Sequence, residues 1–196
     1  MNKFVWAIIT IIVIAGLSIS SINNIPKSEA EVEASASQLL NQYKRRSELV
    51  PQLVEVVKGA ANYEKTTLEN VIKERAKVGT IKISAQDLKN NPNLTKQFFN
   101  AQTNMGSALS KLLAVSERYP ELKATQNFLT LQSQIEGNEN RISVARRDYI
   151  NSVRNFNILI TTFPGLVWNK IFFSREKLAN YTESDSIKET PKIAFN

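Results

Sequence analysis

The chain has 196 residues and a formal net charge of +7, and it contains neither cysteine nor histidine. Without cysteine there can be no disulfide framework, thiolate nucleophile or sulfur-ligated metal, and without histidine the usual general base, the Ser-His pair and the histidine ligands of metal sites are missing. We therefore expect a protein that is not an enzyme and holds no cofactor or metal, although carboxylate or lysine chemistry stays open.

The chain begins with a long apolar segment. The nineteen residues from Phe4 to Ile22 carry no charge, and about 20 apolar residues in a helix span a hydrocarbon core of roughly 30 Å. We expect a single transmembrane anchor over residues 4–25. A cleaved secretory signal is the alternative, but such signals have a shorter apolar run of about 7–15 residues and a cleavage site of small residues. Here Ile19 interrupts the candidate cleavage site.

Charges on either side of the anchor indicate its orientation. Lys3 and the free amino group precede the segment, and Lys27 follows it. Positive residues favour the cytoplasmic side of a membrane, so this excess of one charge favours the outer side of the cell membrane for the rest of the chain, and the cytoplasmic side stays open. Basic and acidic residues are interspersed, and no basic-aromatic motif occurs, so we expect no nucleic-acid partner. A basic domain near anionic headgroups gains about 1 kcal/mol per well-placed Lys or Arg.

A long amphipathic helix is predicted after the anchor. Apolar residues recur at three- and four-residue spacing from Val32 to Ile72, which is typical of a helix with one buried face. Because the spacing stays in phase across Pro51, we predict one helix that is kinked at the proline. This helix should end near Gly79, before an extended connection over residues 79–83.

Two further long helices complete the prediction. Ser84 and Asp87 have the spacing that caps a short turn. Long helices are predicted over residues 94–115 and 121–161, because Tyr119-Pro120 ends the first of them.

The prediction for the end of the chain completes the fold class. Phe163-Pro164-Gly165 ends the third long helix, and residues 166–173 form a short closing helix or an apolar cluster. The predicted fold is therefore an all-α, antiparallel up-and-down bundle of three long helices and a short C-terminal helix over residues 27–173. Residues 174–196 are predicted to be a disordered tail, because they are polar beyond Lys177 and lack periodicity.

Polar residues interrupt the apolar stripe in the first and third helices. The interior position falls on Glu64 in the first and on Asn138 or Glu139 in the third. Buried polar groups need hydrogen-bond partners, so we predict a buried or half-buried polar layer that joins the two helices. Its predicted members are Glu64, Glu139, Asn140, Arg141 and Arg146.

The polar layer has three interpretations. It can fix the register of the helices, as a single polar residue does in a coiled coil. It can also lie at the surface, if the stripe is frayed at Gly137. In the third interpretation Glu64 and Glu139 bind a cation or ligand, or perform acid–base chemistry.

A second concentration of charge lies beside Pro51. It contains Arg45, Arg46 and Glu48. These residues either form a solvated face beside the kink or present a docking surface to another protein.

Three segments resemble the signature of the LemA family. The segment RSELVPQLVEVVKG at 46–59 resembles the family pattern R-x-[DE]-L-[IV]-P-N-L-V-x-x-V-K-G, with Gln52 in the place of Asn. The segment YPELKA at 119–124 resembles the start of a second block. The segment EGNENRISVARRDYIN at 136–151 resembles E-x-x-E-N-R-I-x-x-A-R-x-x-Y-N, with Ile150 as an additional residue.

The resemblance implies a bacterial protein with one N-terminal helix in the inner membrane and an antiparallel helical bundle, and it implies no catalytic residues. Relatives are often encoded near membrane proteases or membrane stress proteins, which implies an envelope or quality-control role. We therefore expect a membrane-tethered, non-enzymatic interaction protein whose partner is another membrane or envelope protein. The alternative is a ligand- or cation-binding, or enzymatic, module that uses the carboxylates of the polar layer.

Overall fold

The computed structural model describes residues 3–59 and 65–179, without some side chains between residues 3 and 19. All regular secondary structure in these two ranges is helical, which confirms the all-α prediction. The helices are α1 Lys3–Lys58, α2 Lys65–Thr80, α3 Ala85–Asn90, α4 Pro92–Ser116, α5 Pro120–Lys123, α6 Gln126–Thr161 and α7 Gly165–Trp168, followed by one π-helical turn over Asn169–Phe173.

Helices α1 and α6 form the closest packed pair of the bundle. They run antiparallel, because Ser35 Oγ lies 2.7 Å from Ser152 Oγ while Arg46, further along α1, binds Glu139, which precedes Ser152 in α6. Helices α2 and α4 form the second closely packed pair. Apolar side chains of both pairs fill the space between them.

The first predicted helix is in fact two helices, so the prediction of one kinked helix up to Gly79 is wrong. Helix α1 ends at Lys58, and α2 runs back along it, since Arg75 Nε donates a hydrogen bond to the Ser47 carbonyl at 3.2 Å. Both helices bury apolar stripes in the same core, so the apolar spacing by itself does not reveal the reversal. The described residues therefore contain four long helices, α1, α2, α4 and α6, rather than three.

Pro51 lies inside α1. Proline has no N–H, so the carbonyl four residues earlier loses its helical hydrogen bond. That carbonyl belongs to Ser47, and it accepts the bond from Arg75 of α2 instead. The returning helix thus satisfies the group that the proline leaves free.

The short helix α3 is capped as predicted. Ser84 Oγ accepts a hydrogen bond from the Asp87 amide at 3.1 Å, and Asp87 Oδ2 accepts one from the Ser84 amide at 2.8 Å. Ser84 Oγ also donates to Asp87 Oδ2 at 2.6 Å, and this bond, together with the bond from the Ser84 amide, lowers the pKa of Asp87. At the other end of α3, the buried Tyr149 hydroxyl donates to the Leu88 carbonyl at 3.0 Å, and burial raises the pKa of Tyr149 to about 12.

The third predicted helix has a break near its start. Helix α5 ends at Lys123 and α6 begins at Gln126, because Thr125 has an extended backbone and its hydroxyl donates to the Leu122 carbonyl at 2.8 Å. Side chains of this type compete with the helical hydrogen bonds of the backbone. Helix α6 ends at Thr161, close to the predicted position. Gly165 then starts α7 where a Cβ atom would overlap a backbone carbonyl oxygen of α6.

The first residues of the predicted disordered tail are bound to the bundle. The side-chain amide of Asn169 donates to the Arg175 carbonyl and accepts from the Arg175 amide, both at 2.9 Å. Asn157 forms the same pair of bonds with Leu178, also at 2.9 Å. The tail prediction is therefore wrong for residues 174–179, and residues 180–196 lie outside the described part of the chain.

Two apolar clusters form the core. The first lies toward the α1–α2 connection and includes Leu53, Leu68, Met105 and Phe128. The second lies toward the beginning of the bundle and includes Ile25. Because Ile25 is fully buried in this cluster, the bundle begins inside the range predicted for the anchor.

A search of the described residues finds no helix whose length and apolarity would suffice to cross a membrane. The anchor predicted over residues 4–25 stays a prediction.

The capping of α3 leads to the first testable prediction. Replacing Ser84 by Ala should lower the free energy of unfolding by about 1 kcal/mol at neutral pH, the usual loss for a serine N-cap. Urea unfolding followed by circular dichroism measures this change. Ser107→Ala, at an exposed position within α4, is the control and should not be destabilising.

Because the pKa of Asp87 is lowered, the stability of the fold should depend on pH in a definite direction. A carboxyl group whose pKa is lower in the folded state stabilises the fold above its unfolded pKa, and that stabilisation is lost as the pH falls through the folded value. The stability advantage of the wild type over Asp87→Asn should therefore shrink below pH 3.8, the ordinary value for this group. An advantage that grows on acidification would contradict the assignment.

Candidate functional site

A polar layer crosses the bundle between the two apolar clusters. Its centre is Arg46 of α1, which keeps only 3% of its surface exposed. Arg46 follows Tyr43 by three residues and precedes Val50 by four, so it occupies the buried stripe of α1. Its partners are Gln102 of α4 and Glu139 of α6.

Hydrogen bonds from Arg46 join three helices. Its Nη1 donates to both carboxylate oxygens of Glu139, at 2.9 and 3.2 Å. Its Nη2 donates to the backbone carbonyl of Gln102 at 2.7 Å and also to the side-chain oxygen of that residue. The guanidinium carbon lies 5.2 Å from the centre of the Tyr43 ring. A carboxylate, two amide oxygens and an aromatic face thus surround the buried cation, which are the groups that stabilise it best.

A glycine makes room for the guanidinium. Gly106 lies one helical turn after Gln102 in α4, and a Cβ atom at this position would lie 3.2 Å from Arg46 Nη1. Any larger residue would therefore crowd the cation. The close approach of α4 to Arg46 depends on the missing side chain.

Two further polar contacts extend the layer along α1 and α6. Arg146 Nη2 donates to the Tyr43 hydroxyl at 2.7 Å. Asn138, which is fully buried, donates through Nδ2 to the backbone and side-chain oxygens of Gln42, at 3.2 and 3.3 Å. The layer therefore joins α1 and α6 through three separate pairs of residues.

The structure places the predicted members of the layer differently. Glu139 and Arg146 both contact α1, through Arg46 and Tyr43 respectively. Asn140 and Arg141 are exposed on the outer side of α6. Glu64 lies outside the described residues.

The predicted docking surface needs one correction. Arg45 and Glu48 are exposed, but Arg46 is buried, so the prediction of a surface position for Arg46 is wrong. The reason is helical periodicity, since only one residue of the Lys44-Arg45-Arg46 run can fall on the stripe that includes Tyr43 and Val50.

Sequence reasoning missed Gln102. The residue lies between Phe98 and Met105 on the apolar stripe of α4, at the same three- to four-residue spacing. In α6 a polar residue on the buried stripe predicts the layer. Gln102 gives the same signal in α4.

Glu139, the acidic side chain that the structure describes in this layer, is already paired. The carboxylate of Glu139 is neutralised by Arg46, so a bound cation would have to compete with the guanidinium. Within residues 3–59 and 65–179, no group of three or more acidic side chains is arranged to hold a metal ion. The hydrogen bonds of Arg46 instead connect three helices at one level of the bundle.

Comparisons with known proteins identify relatives of the chain. The model of the LemA family matches residues 35–195, which include Arg46, Gln102, Glu139 and most of the predicted tail. Magnetosome protein MamQ 2 of Paramagnetospirillum magneticum is 31% identical over 99 residues, which are 50% of this chain and 35% of that protein. Protein LemA of Metamycoplasma hominis is 26% identical over 144 residues, which are 72% of this chain and 60% of that protein. The chain thus spans less than two thirds of either relative.

The layer predicts a specific response to the loss of its carboxylate. Glu139→Gln should lower the free energy of unfolding by about 2 kcal/mol, because the buried guanidinium loses its counter-charge. This is less than the cost for a fully buried pair, since the Glu139 side chain is 41% exposed and water screens part of the interaction. Combining Glu139→Gln with Arg46→Met removes the uncompensated cation, so the double variant should lose less than the sum of the single losses.

Urea unfolding of the protein in detergent measures these changes. Glu136→Gln, at an exposed position in the same helix, is the matched control and should change stability by less than about 0.5 kcal/mol. If Glu139→Gln and Glu136→Gln have equal effects, or if the single losses simply add, the layer does not stabilise the bundle.

Proposed function

The chain belongs to the LemA family, and from this premise we propose that it is a membrane-tethered, non-enzymatic interaction protein of the bacterial envelope. The observation that carries the proposal is the continuity of α1. This single helix, Lys3–Lys58, contains both the nineteen uncharged residues and the stripe that is buried in the bundle. Residues 4–22 of a helix are about 30 Å long at 1.5 Å per residue, the thickness of a hydrocarbon core.

The exposed side of α1 supports a role in protein interaction. Arg45 and Glu48 are exposed on the helix whose opposite face carries Arg46. Because Arg46 is bonded to both α4 and α6, the backbone that presents Arg45 and Glu48 is held in a fixed position. A rigid, charged helical face of this kind suits a partner of the same membrane or envelope.

The alternative, a ligand-binding or enzymatic module, has less support. It requires a carboxylate available for binding or proton transfer, and Glu139 is paired with Arg46. Glu64, the other carboxylate in that hypothesis, lies outside the described residues. The quality-control role implied by the resemblance stays a prediction.

Tethering is tested with arginine substitutions in the apolar segment. Ile8→Arg combined with Ile12→Arg should release the protein from membranes at alkaline pH, because each arginine near the centre of a membrane helix costs about 3 kcal/mol. The wild type should stay in the membrane pellet. Val144→Arg, which places the same charge on an exposed site of α6, should stay there too. Recovery of the wild type as dissolved protein with its N-terminus removed would overturn the proposal.

The interaction surface is tested by photo-crosslinking in intact cells. A photo-reactive residue at position 45 or 48 should give a discrete adduct with one protein. The same residue at position 147, which is exposed on α6, should not give that adduct. Adducts with lipid alone at positions 45 and 48 would contradict a protein partner for this face.

A further inference from the structure

Apolar side chains are exposed where the chain leaves α6. We name residues 163–173 the closing segment. Phe163, Ile171 and Phe172 keep 83%, 62% and 61% of their surface exposed, and Leu166 and Val167 are also exposed. Single apolar residues on a surface are ordinary, but a group of this size within one short segment is typical of an interaction site.

The closing segment lies at the level where the apolar part of α1 ends. Ser35 faces Ser152 across the antiparallel pair of helices. Eleven residues further along this register, Phe163 is level with Asn24, two positions after the uncharged residues 4–22. Contacts between α7 and α1 agree with this position, as does the ion pair of Arg175 Nη2 with Glu29 at 3.1 Å.

Basic residues lie within the closing segment and directly after it. Residues 163–179 contain three basic residues and one acidic residue, Glu176. Lys170 and Lys177 line a surface cleft of about 400 Å³ together with the hydroxyl residues Thr161 and Ser174. Ammonium and hydroxyl groups are donors that suit a phosphate, and a cationic rim around an apolar surface is typical of proteins that bind anionic membranes.

We propose that the closing segment is a binding surface for anionic phospholipid. Phe163, Ile171 and Phe172 enter the interfacial region of the bilayer, and Lys170 and Lys177 bind the headgroup phosphates. The proposal rests on the tethering proposed above, because α1 brings the segment to the lipid surface. The bundle is then attached to the membrane at two points, by the N-terminal part of α1 and by the closing segment.

The absence of cysteine from the chain allows a direct test. Single cysteines replace Phe172, Ile12 or Val144 in the full-length protein and carry a polarity-sensitive dye. All three side chains are exposed, so the substitutions should be tolerated, which thermal unfolding checks. The proteins are reconstituted in vesicles that contain phosphatidylglycerol and lipids with a quencher at a known depth.

The three dye positions separate the two proposals. At position 172 we expect a blue shift and quenching by shallow lipid quenchers, at position 12 quenching by deep ones, and at position 144 quenching by aqueous iodide alone. If the dye at 172 behaves like the dye at 144 while that at 12 is quenched by lipid, the closing-segment proposal fails and tethering stands. If the dye at 12 is not quenched by lipid, tethering fails.

Two further outcomes bear on the identity of the occupant. Protection of the dye at 172 from both lipid quenchers and iodide would mean that protein covers the segment, which would overturn lipid binding. Lys170→Gln with Lys177→Gln should reduce lipid quenching at 172 in phosphatidylglycerol vesicles but not in vesicles of phosphatidylcholine alone. Equal quenching in both kinds of vesicle, unchanged by the substitutions, would overturn the role of the two lysines.

Discussion

The bundle is organised around one buried cation. A guanidinium group stays charged at any pH that a protein experiences, and it has five N–H donors to satisfy. Arg46 places this group between two apolar clusters, where the Glu139 carboxylate and the oxygens of Gln102 accept its hydrogen bonds. Sliding α1 by one turn against α4 or α6 would move the charge into an apolar cluster and leave Glu139 without its cation. We expect the cost of that error to keep the three helices in register. The two family-like segments that include Arg46 and Glu139 supply the two partners of one ion pair.

Much of the fold could be predicted from local pattern, because amphipathic period depends only on neighbouring residues. Short-range patterns of this kind predict the capping pair Ser84 and Asp87 and the C-terminal ends of α4 and α6. The reversal of chain direction after Lys58 could not be predicted in the same way. Helices α1 and α2 bury their stripes in one core, so the phase of the apolar residues is the same for a continuous helix and for a hairpin.

The polar layer was only partly accessible from sequence for a related reason. A polar residue on a buried stripe shows that a partner is needed, but it does not show which residue that partner is. Asn138 and Glu139 were recognised as interrupting their stripe, whereas the partner of Glu139 lies 93 positions away. The concentration of charge beside Pro51 predicts a surface position for Arg46, but its spacing from Tyr43 identifies it as the buried residue.

The bonds of Asn157 and Asn169 to residues 174–179 have a consequence for sequence variation. Each amide group binds the N–H and C=O of one main-chain residue, as a neighbouring β-strand would. Nearly every amino acid offers these two groups, so these four hydrogen bonds place little demand on the side chains of residues 175 and 178. Proline is the exception, because it lacks the N–H that Arg175 and Leu178 supply. Polar composition and lack of periodicity therefore do not show whether such a stretch is ordered. Its order depends on two asparagines that precede it in the chain.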